Sequence, residues 1–403
     1  MEITKSYFTK RVNALNNEGA YAVLDKANEF ERRSGKEVIR LQIGEPDFDT
    51  PNNIRKAGIE SIKSGFTHYT PISGIDELKD AIIKYTKDFK GFDCERDQII
   101  ITPGAKHALF CSIMSLIEKN DEVLYPNPTY PIYKSIVNFS GGTPVAYPVL
   151  EENDFEIDVE DLKSRITDKT KMIILNSPAN PTGGVLSKKV ILEIAQAVKD
   201  KGIYVLTDDI YSRIAYDEKP VSIATIPEMK DYTITIDGFS KSYAMTGWRL
   251  GYAIVNKELY KKMELMMANT VSNTSGFIQI AGVEALNGSQ NSVNMMVEKF
   301  KERRDFIVER LNLIDGVTCK IPKGAFYAFP NVSSFGYTSQ QLADYILYRA
   351  NVALLPGSGF GEYGEGYLRI SYANSIENIS KAMDNIERAL KNLKVNHDIE
   401  KLF

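Results

Sequence analysis

Cysteine is scarce in this chain of 403 residues. Cys94, Cys111 and Cys319 are odd in number, far apart and form no CxxC pair. That excludes a disulfide framework, offers no zinc-site spacing and fits a reducing compartment, so no metal is expected. Long apolar runs are missing as well: no stretch reaches the roughly 18 continuous apolar residues of a membrane span. The opening MEITKSYFTKRVNALNNEGA lacks the apolar segment of a secretory signal, so the expected location is cytoplasmic, with no membrane partner. Basic runs are absent too. Lys and Arg number 49 against 53 Asp and Glu, a formal net charge of -4, with no stripe to follow a phosphate backbone, which argues against a nucleic-acid partner. No GxxxxGK[ST] occurs, and there is no internal repeat or low-complexity segment.

What is present is an alternation. Short runs rich in isoleucine and valine, QIIIT (98–102), EVLYP (122–126), KMIILN (171–176), IYVLTD (203–208) and YTITID (232–237), read as buried strands of a mostly parallel sheet. Helical patterns separate them: Leu109, Ile113, Leu116 and Ile117 fall on one face after QIIIT, and KKVILEIAQAVKD is amphipathic. Near residue 290 the pattern changes to a long helix marked by Val293, Met296, Val297, Phe300, Ile307 and Leu311. Strand-like pieces GAFYAFP, VALLPG and GYLRISYA and the helix IENISKAMDNIERALKNL follow, and a helix AYAVLDKANEFERRSG and a turn IGEPDFDTP precede the sheet. The expected fold is α/β: a large domain, 50–290, with a mostly parallel sheet covered by helices, and a smaller α+β domain from both chain ends, 1–49 and 291–403.

Four strand ends carry polar chemistry. TPGAKHALF is a strand end, a glycine turn and a helix start, which aims backbone N–H groups at one point suited to phosphate; the same residues would also make an ordinary turn. NSPANPTGG forces an irregular loop after KMIILN, with asparagines that serve either a ligand oxygen or the turn itself. In IYVLTDDIYSRI, Asp208 closes an apolar strand, where a carboxylate needs a cationic partner unless it caps a helix. Lys241 follows YTITID in DGFSKSYAMTGWRLG, where Gly238, Ser240, Ser242, Thr246 and Gly247 allow close approach and Arg249 adds a phosphate fork. An anion cradle, a polar donor, a buried carboxylate and a reactive amine are together what pyridoxal phosphate requires.

With those residues in view, the chain resembles the class I aminotransferases among the fold-type I pyridoxal phosphate enzymes, close to the prokaryotic aspartate aminotransferase subgroup. GEPDF, HYTPISG, NPTYPIY, NSPANPTG, DDIY, GFSKSYAMTGWRLG and LRISYA occur in the family's order over nearly the whole chain. The resemblance implies transamination between an L-amino acid and a 2-oxo acid, aspartate and 2-oxoglutarate among the candidates. It makes Lys241 the Schiff-base lysine, Asp208 the partner of the pyridine nitrogen, and Tyr211 and Asn180 donors to the ring hydroxyl oxygen. Gly104, Ala105, Lys106, Ser240 and Arg249 would hold the phosphate, Tyr130 would stack on the ring, and Arg369 would clamp the substrate α-carboxylate beside Gly44. Tyr69 would reach the neighbouring subunit's phosphate, implying a homodimer with shared active sites.

Three positions depart from the family pattern. Asp208-Asp209 replaces Asp-Glu, a change expected to be neutral. Gly238 stands where a serine is frequent, so one phosphate hydrogen bond is expected to be missing or taken over by Ser240. Glu18-Gly19-Ala20 replaces Ser-Ala-Thr, and a carboxylate there would disfavour a dicarboxylate substrate. A β-lyase, an α-synthase or a decarboxylase would use the same lysine and aspartate. A ligand-sensing module of a transcription regulator is disfavoured, because GEPDF begins by residue 44 and leaves no room ahead of it for a DNA-binding domain.

Overall fold

The computed structural model describes residues 9–13, 15, 19–396 and 399. β1 (Ile39–Arg40) stands apart from the large sheet, whose strands are β2 (Ile99–Thr102), β3 (Glu122–Asn127), β4 (Thr143–Pro148), β5 (Thr170–Asn176), β6 (Tyr204–Asp208), β7 (Thr233–Gly238) and β8 (Gly251–Ile254). Their spatial order is β2-β8-β7-β6-β5-β3-β4. β8 runs antiparallel to both neighbours, and every other pairing is parallel.

The apolar runs become strands because both faces of the sheet are covered. Met172 and Ile174 enter one core with Val123, Leu206 and Ile234, beneath helices Ala105–Leu116 and Lys257–Thr270. Ile173 and Leu175, offset by one residue, enter a second core with Leu124 and Val205, beneath helix Lys188–Val198. Each fully buried isoleucine there contributes about 1.5–3 kcal/mol of hydrophobic stabilisation. Ile117, expected on the helical face, is instead extended at that helix's C-terminal end and still reaches the first core.

β4 and β8 escape the apolar-run criterion. β4 reads TPVAYP, and its two prolines are tolerated because it is the edge strand. β8 is only four residues long and follows directly on a glycine-rich polar loop.

A third core joins helices Asn291–Asn312, Ser339–Ala350 and Ile376–Asn396 to short strands β9 (Tyr327–Ala328), β10 (Val352–Ala353) and β12 (Leu368–Ser371), and β11 (Leu355–Pro356) pairs with β12. β1 pairs parallel with β10, so the segment near residue 40 is built into the same layer as residues beyond 350. Helix Gly19–Ser34 packs there through Ala27, against Val38 and Leu347.

The topology gathers one edge of the large sheet. β3, β5, β6 and β7 all end on it, and β8 begins on it because it runs the other way. Gly251 is in register with both Thr102 and Gly238, which brings the end of β2 to the lysine loop.

Candidate active site

A cleft of about 940 Å³ opens at that edge. Asp208, at the end of β6, is 4% exposed. Its carboxylate accepts a hydrogen bond from the Tyr133 hydroxyl at 2.7 Å and a longer one from the Ile210 backbone N–H. Asn176, on neighbouring β5, donates to the Asp208 carbonyl and accepts from the Asn180 N–H, so it fixes two members of the site at once. No lysine or arginine among the described residues forms an ion pair with Asp208. Burial pushes its carboxyl up to about 6, against the Tyr133 hydrogen bond, which lowers it. The cation expected beside it is therefore not a side chain of the described residues.

Lys241 lies on the loop after β7, and its Nζ donates to the Gly44 carbonyl at 2.5 Å. That loop is tied to the turn IGEPDFDTP. The Thr50 hydroxyl donates to the Ala244 carbonyl at 2.5 Å, Trp248 Nε1 donates to Thr50 at 3.0 Å, and the Thr246 hydroxyl meets the Glu45 carboxylate. Asp47, on the same turn, is gripped through both oxygens by Arg303 of helix Asn291–Asn312, at 2.7 and 3.0 Å. A turn from one layer thus sets the amine of the other.

Helix Ala105–Leu116 points its N-terminus into the cleft, the end where backbone N–H groups favour an anion. Arg249 holds left-handed backbone angles and donates through Nη1 to the Thr246 carbonyl. Gly104 has φ +84, and a Cβ there would lie 2.4 Å from Arg249 Nη2, so glycine alone lets the guanidinium reach the helix start. Ser240, Ala105 and Lys106 line the same end, with Tyr130 beside them; the Lys106 amine stands 5.8 Å from the Tyr130 ring centre.

At the opposite end Arg369, from β12, is 4% exposed. It donates to Asn180 Oδ1 at 3.1 Å and to the Gln42 carbonyl at 2.5 Å, and its guanidinium lies over the Tyr327 and Phe360 rings. The Tyr327 hydroxyl is 2.7 Å from that of Tyr211. A Cβ at Gly44 would come within 2.2 Å of the same Tyr327 hydroxyl.

Of the residues singled out in the sequence, Gly44, Gly104, Ala105, Lys106, Tyr130, Asn180, Asp208, Tyr211, Ser240, Lys241, Arg249 and Arg369 come together around this cleft. Tyr69 does not: it is 91% exposed and absent from the lining. Gly238 and Ser242 are also outside it. Gly238 packs against Gly251 and Leu250, so a side chain there would press on the strand pairing rather than on a phosphate. Gly19 and Ala20 border the cleft, while Glu18 lies outside the described residues. Tyr133, Asn176 and Tyr327 were not anticipated. Tyr133 sits three residues after Tyr130 in NPTYPIY, the helical spacing that places two side chains on one face.

Pyridoxal phosphate fits these residues. The cradle of Gly104, Arg249 and the helix N-terminus suits its phosphate, Lys241 offers the amine for its aldehyde, and the cation-less buried carboxylate of Asp208 matches a protonated pyridine nitrogen.

The family model for class I and II aminotransferases matches residues 36–386. An aspartate aminotransferase of Pyrococcus horikoshii is 42% identical over 368 residues, 91% of this chain and 94% of that protein. The aromatic-amino-acid aminotransferase 2 of Thermococcus litoralis is 40% identical over 362 residues, 89% of this chain and 93% of its own length. Among solved structures, the aspartate aminotransferase from Rhizobium meliloti has a TM-score of 0.92 at 35% identity, covering 96% of this chain and 99% of that one.

Proposed function

The chain belongs to the class I and II aminotransferases, pyridoxal phosphate-dependent enzymes of fold type I, and from that premise we propose how its own residues divide the work. The cofactor supplies an aldehyde that takes up the amino group and a protonated ring that accepts the electrons released at the substrate Cα. Lys241 carries the cofactor at rest. Released from the cofactor by an incoming amino acid, the Lys241 amine would be the base that takes the substrate Cα proton and would return a proton to the former aldehyde carbon, on the other side of the nitrogen. Asp208 holds the ring nitrogen protonated, and Tyr133 and Asn176 hold Asp208. Arg249, Ser240 and the Gly104-Ala105-Lys106 turn would bind the phosphate, Tyr130 would stack on the ring, and Asn180 and Tyr211 would donate to the ring hydroxyl oxygen. Arg369 takes the substrate α-carboxylate through its fork, with Gly44 at the pocket edge.

The observation that carries this assignment is Asp208: a carboxyl buried at a ligand cleft, hydrogen-bonded yet without a cation, across from an amine. Its cationic counterpart is then the pyridinium. A protonated pyridine beside Asp208 lowers that carboxyl again, so charge is matched only in the loaded enzyme.

Several relatives are named aspartate aminotransferases, which supports aspartate as donor; 2-oxoglutarate is the acceptor we assign with it. Gly19 and Ala20 border the cleft, and the segment Glu18-Gly19-Ala20 is where we expect a different substrate side chain to be read. We further assign the large domain to 50–290 and the small one to 1–49 and 291–403. The working form is a cytoplasmic homodimer in which Tyr69 reaches the partner's phosphate. Steady-state assays with a panel of amino acids and 2-oxoglutarate test the assignment. A new amino acid, with ping-pong kinetics and aspartate as the most efficient donor, is expected. Pyruvate with ammonia, or carbon dioxide, would instead indicate a lyase or a decarboxylase.

A further inference from the structure

We propose that Lys90 is a positioning residue of this active site: it clamps the carboxylates of Asp209 and Asp237 together behind the ends of β6 and β7, and so sets both the stance of Asp208 and Lys241 and the charge they experience.

Lys90 Nζ lies 2.7 Å from Asp209 Oδ2 and 2.8 Å from Asp237 Oδ2, and its side chain is 3% exposed. Each carboxylate is engaged on its other oxygen as well, Asp209 by the Thr207 hydroxyl and Asp237 by the Gly238 N–H. Asp209 directly follows Asp208, and Asp237 precedes Lys241 by one loop turn. The Asp209 N–H also donates to the Ile236 carbonyl, so one amine and one backbone bond lock the two strand ends side by side. None of the three residues lines the cleft, which makes their influence indirect.

The local backbone is shaped for this contact. Helix Asp76–Tyr85 widens into a single π turn, Thr86–Lys90, closed by Gly91 with φ +83. Such a widened turn rotates the residues after it relative to a regular helix, and such turns concentrate at functional sites. A buried lysine between two buried aspartates is costly to desolvate and is retained only where the geometry repays it. Despite burial, the two carboxylates hold the Lys90 amine protonated.

The electrostatic consequence is direct. Two carboxylates and one amine leave the cluster at a net charge of -1, close to Asp208, whose carboxyl both Asp209 and Asp237 push upward. The groups facing the cluster are otherwise hydroxyls: Tyr85 near Lys90, Tyr243 and Tyr252 near Asp237, and Tyr133 and Tyr211 beside Asp208, with Arg213 stacked over Tyr243. Removing the Lys90 charge adds up to one unit of negative charge behind the Lys241 loop, less any proton that the two facing carboxylates take up.

The inference rests on the assignments of Asp208 and Lys241 above. Its test is a pH titration of the absorbance of the bound cofactor in purified holoenzyme, with kcat and KM measured alongside. Lys90→Met is expected to raise the titration midpoint by about one pH unit. It should lower kcat about tenfold or more, with a smaller change in KM. Lys90→Arg keeps the charge and should restore most of both. Lys90→Met combined with Asp237→Asn returns the cluster to its original net charge and should bring the midpoint back. If Lys90→Met does not fold, Asp237→Asn alone serves, and its midpoint should move down. A wild-type midpoint in folded Lys90→Met or in Asp237→Asn, or a double variant that leaves the midpoint displaced, overturns the proposal. A wild-type protein whose absorbance shows no titration that Lys241→Ala abolishes would instead overturn the underlying assignment.

Discussion

Asp208 is buried as a carboxyl near 6, where its ordinary value is 3.8. A folded-state value above the unfolded one favours folding fully only below about pH 4, and that advantage is lost as pH rises through about 6. Without cofactor, Asp208 therefore costs the protein about 3 kcal/mol at pH values well above 6. Asp208→Asn should make the cofactor-free protein more stable than wild type, by a margin that grows more than about 1 kcal/mol between pH 5 and pH 8. Urea denaturation of both proteins at the two pH values checks this, and a margin independent of pH would remove the burial argument. In the loaded enzyme the same substitution should retain cofactor but cut turnover sharply, because a neutral amide cannot hold the ring nitrogen protonated. Asp208 itself is readable from the sequence, as a carboxylate closing an apolar strand. Tyr133, its partner, is 75 residues away, and nothing in the local pattern of either segment announces the pair.

At the scale of elements, the phosphate cradle depends on how a helix start and a loop meet. Gly104→Ala must place a methyl group against the Arg249 guanidinium while holding φ +84. Cofactor affinity should fall about tenfold or more, whereas affinity for pyridoxal lacking the phosphate should change little. Comparative titrations with the two forms distinguish a cradle effect from general damage, which would weaken both equally. The strands that carry the site were legible because a strand buried on both faces is mostly apolar, and five of them contain short apolar runs. The edge strand β4, with its prolines, and the four-residue β8 were not. The Lys90 clamp was equally invisible. It joins residues 119 positions apart, and its lysine sits in a segment that reads as an ordinary charged helix end.

Across the whole molecule, the cleft draws on both layers. Arg369 comes from β12 and Gly44 from the turn after β1, while Asp208, Lys241 and Arg249 come from the large sheet. The alternation of apolar runs made the large sheet legible, but the parallel pairing of β1 with β10 depends on residues more than 300 positions apart and required the structure. Tyr69 is 91% exposed on the isolated chain, and the role proposed for it lies across the proposed subunit boundary. Mixing Lys241→Ala with Tyr69→Ala tests that boundary. Each homodimer should be impaired, while a mixed dimer contains one site with its own Lys241 and a donated Tyr69, and so should recover activity. No recovery on subunit exchange would place Tyr69 outside the catalytic assembly.

The most direct test of aminotransfer is a single half-reaction. Holoenzyme is given its best amino acid with no 2-oxo acid acceptor, and the 2-oxo acid released is counted per active site while the cofactor absorbance is followed. One equivalent per site, an absorbance change that stops with it, and neither effect in Lys241→Ala are expected. Continued product formation without acceptor, release of ammonia or carbon dioxide, or no product with any amino acid would contradict it.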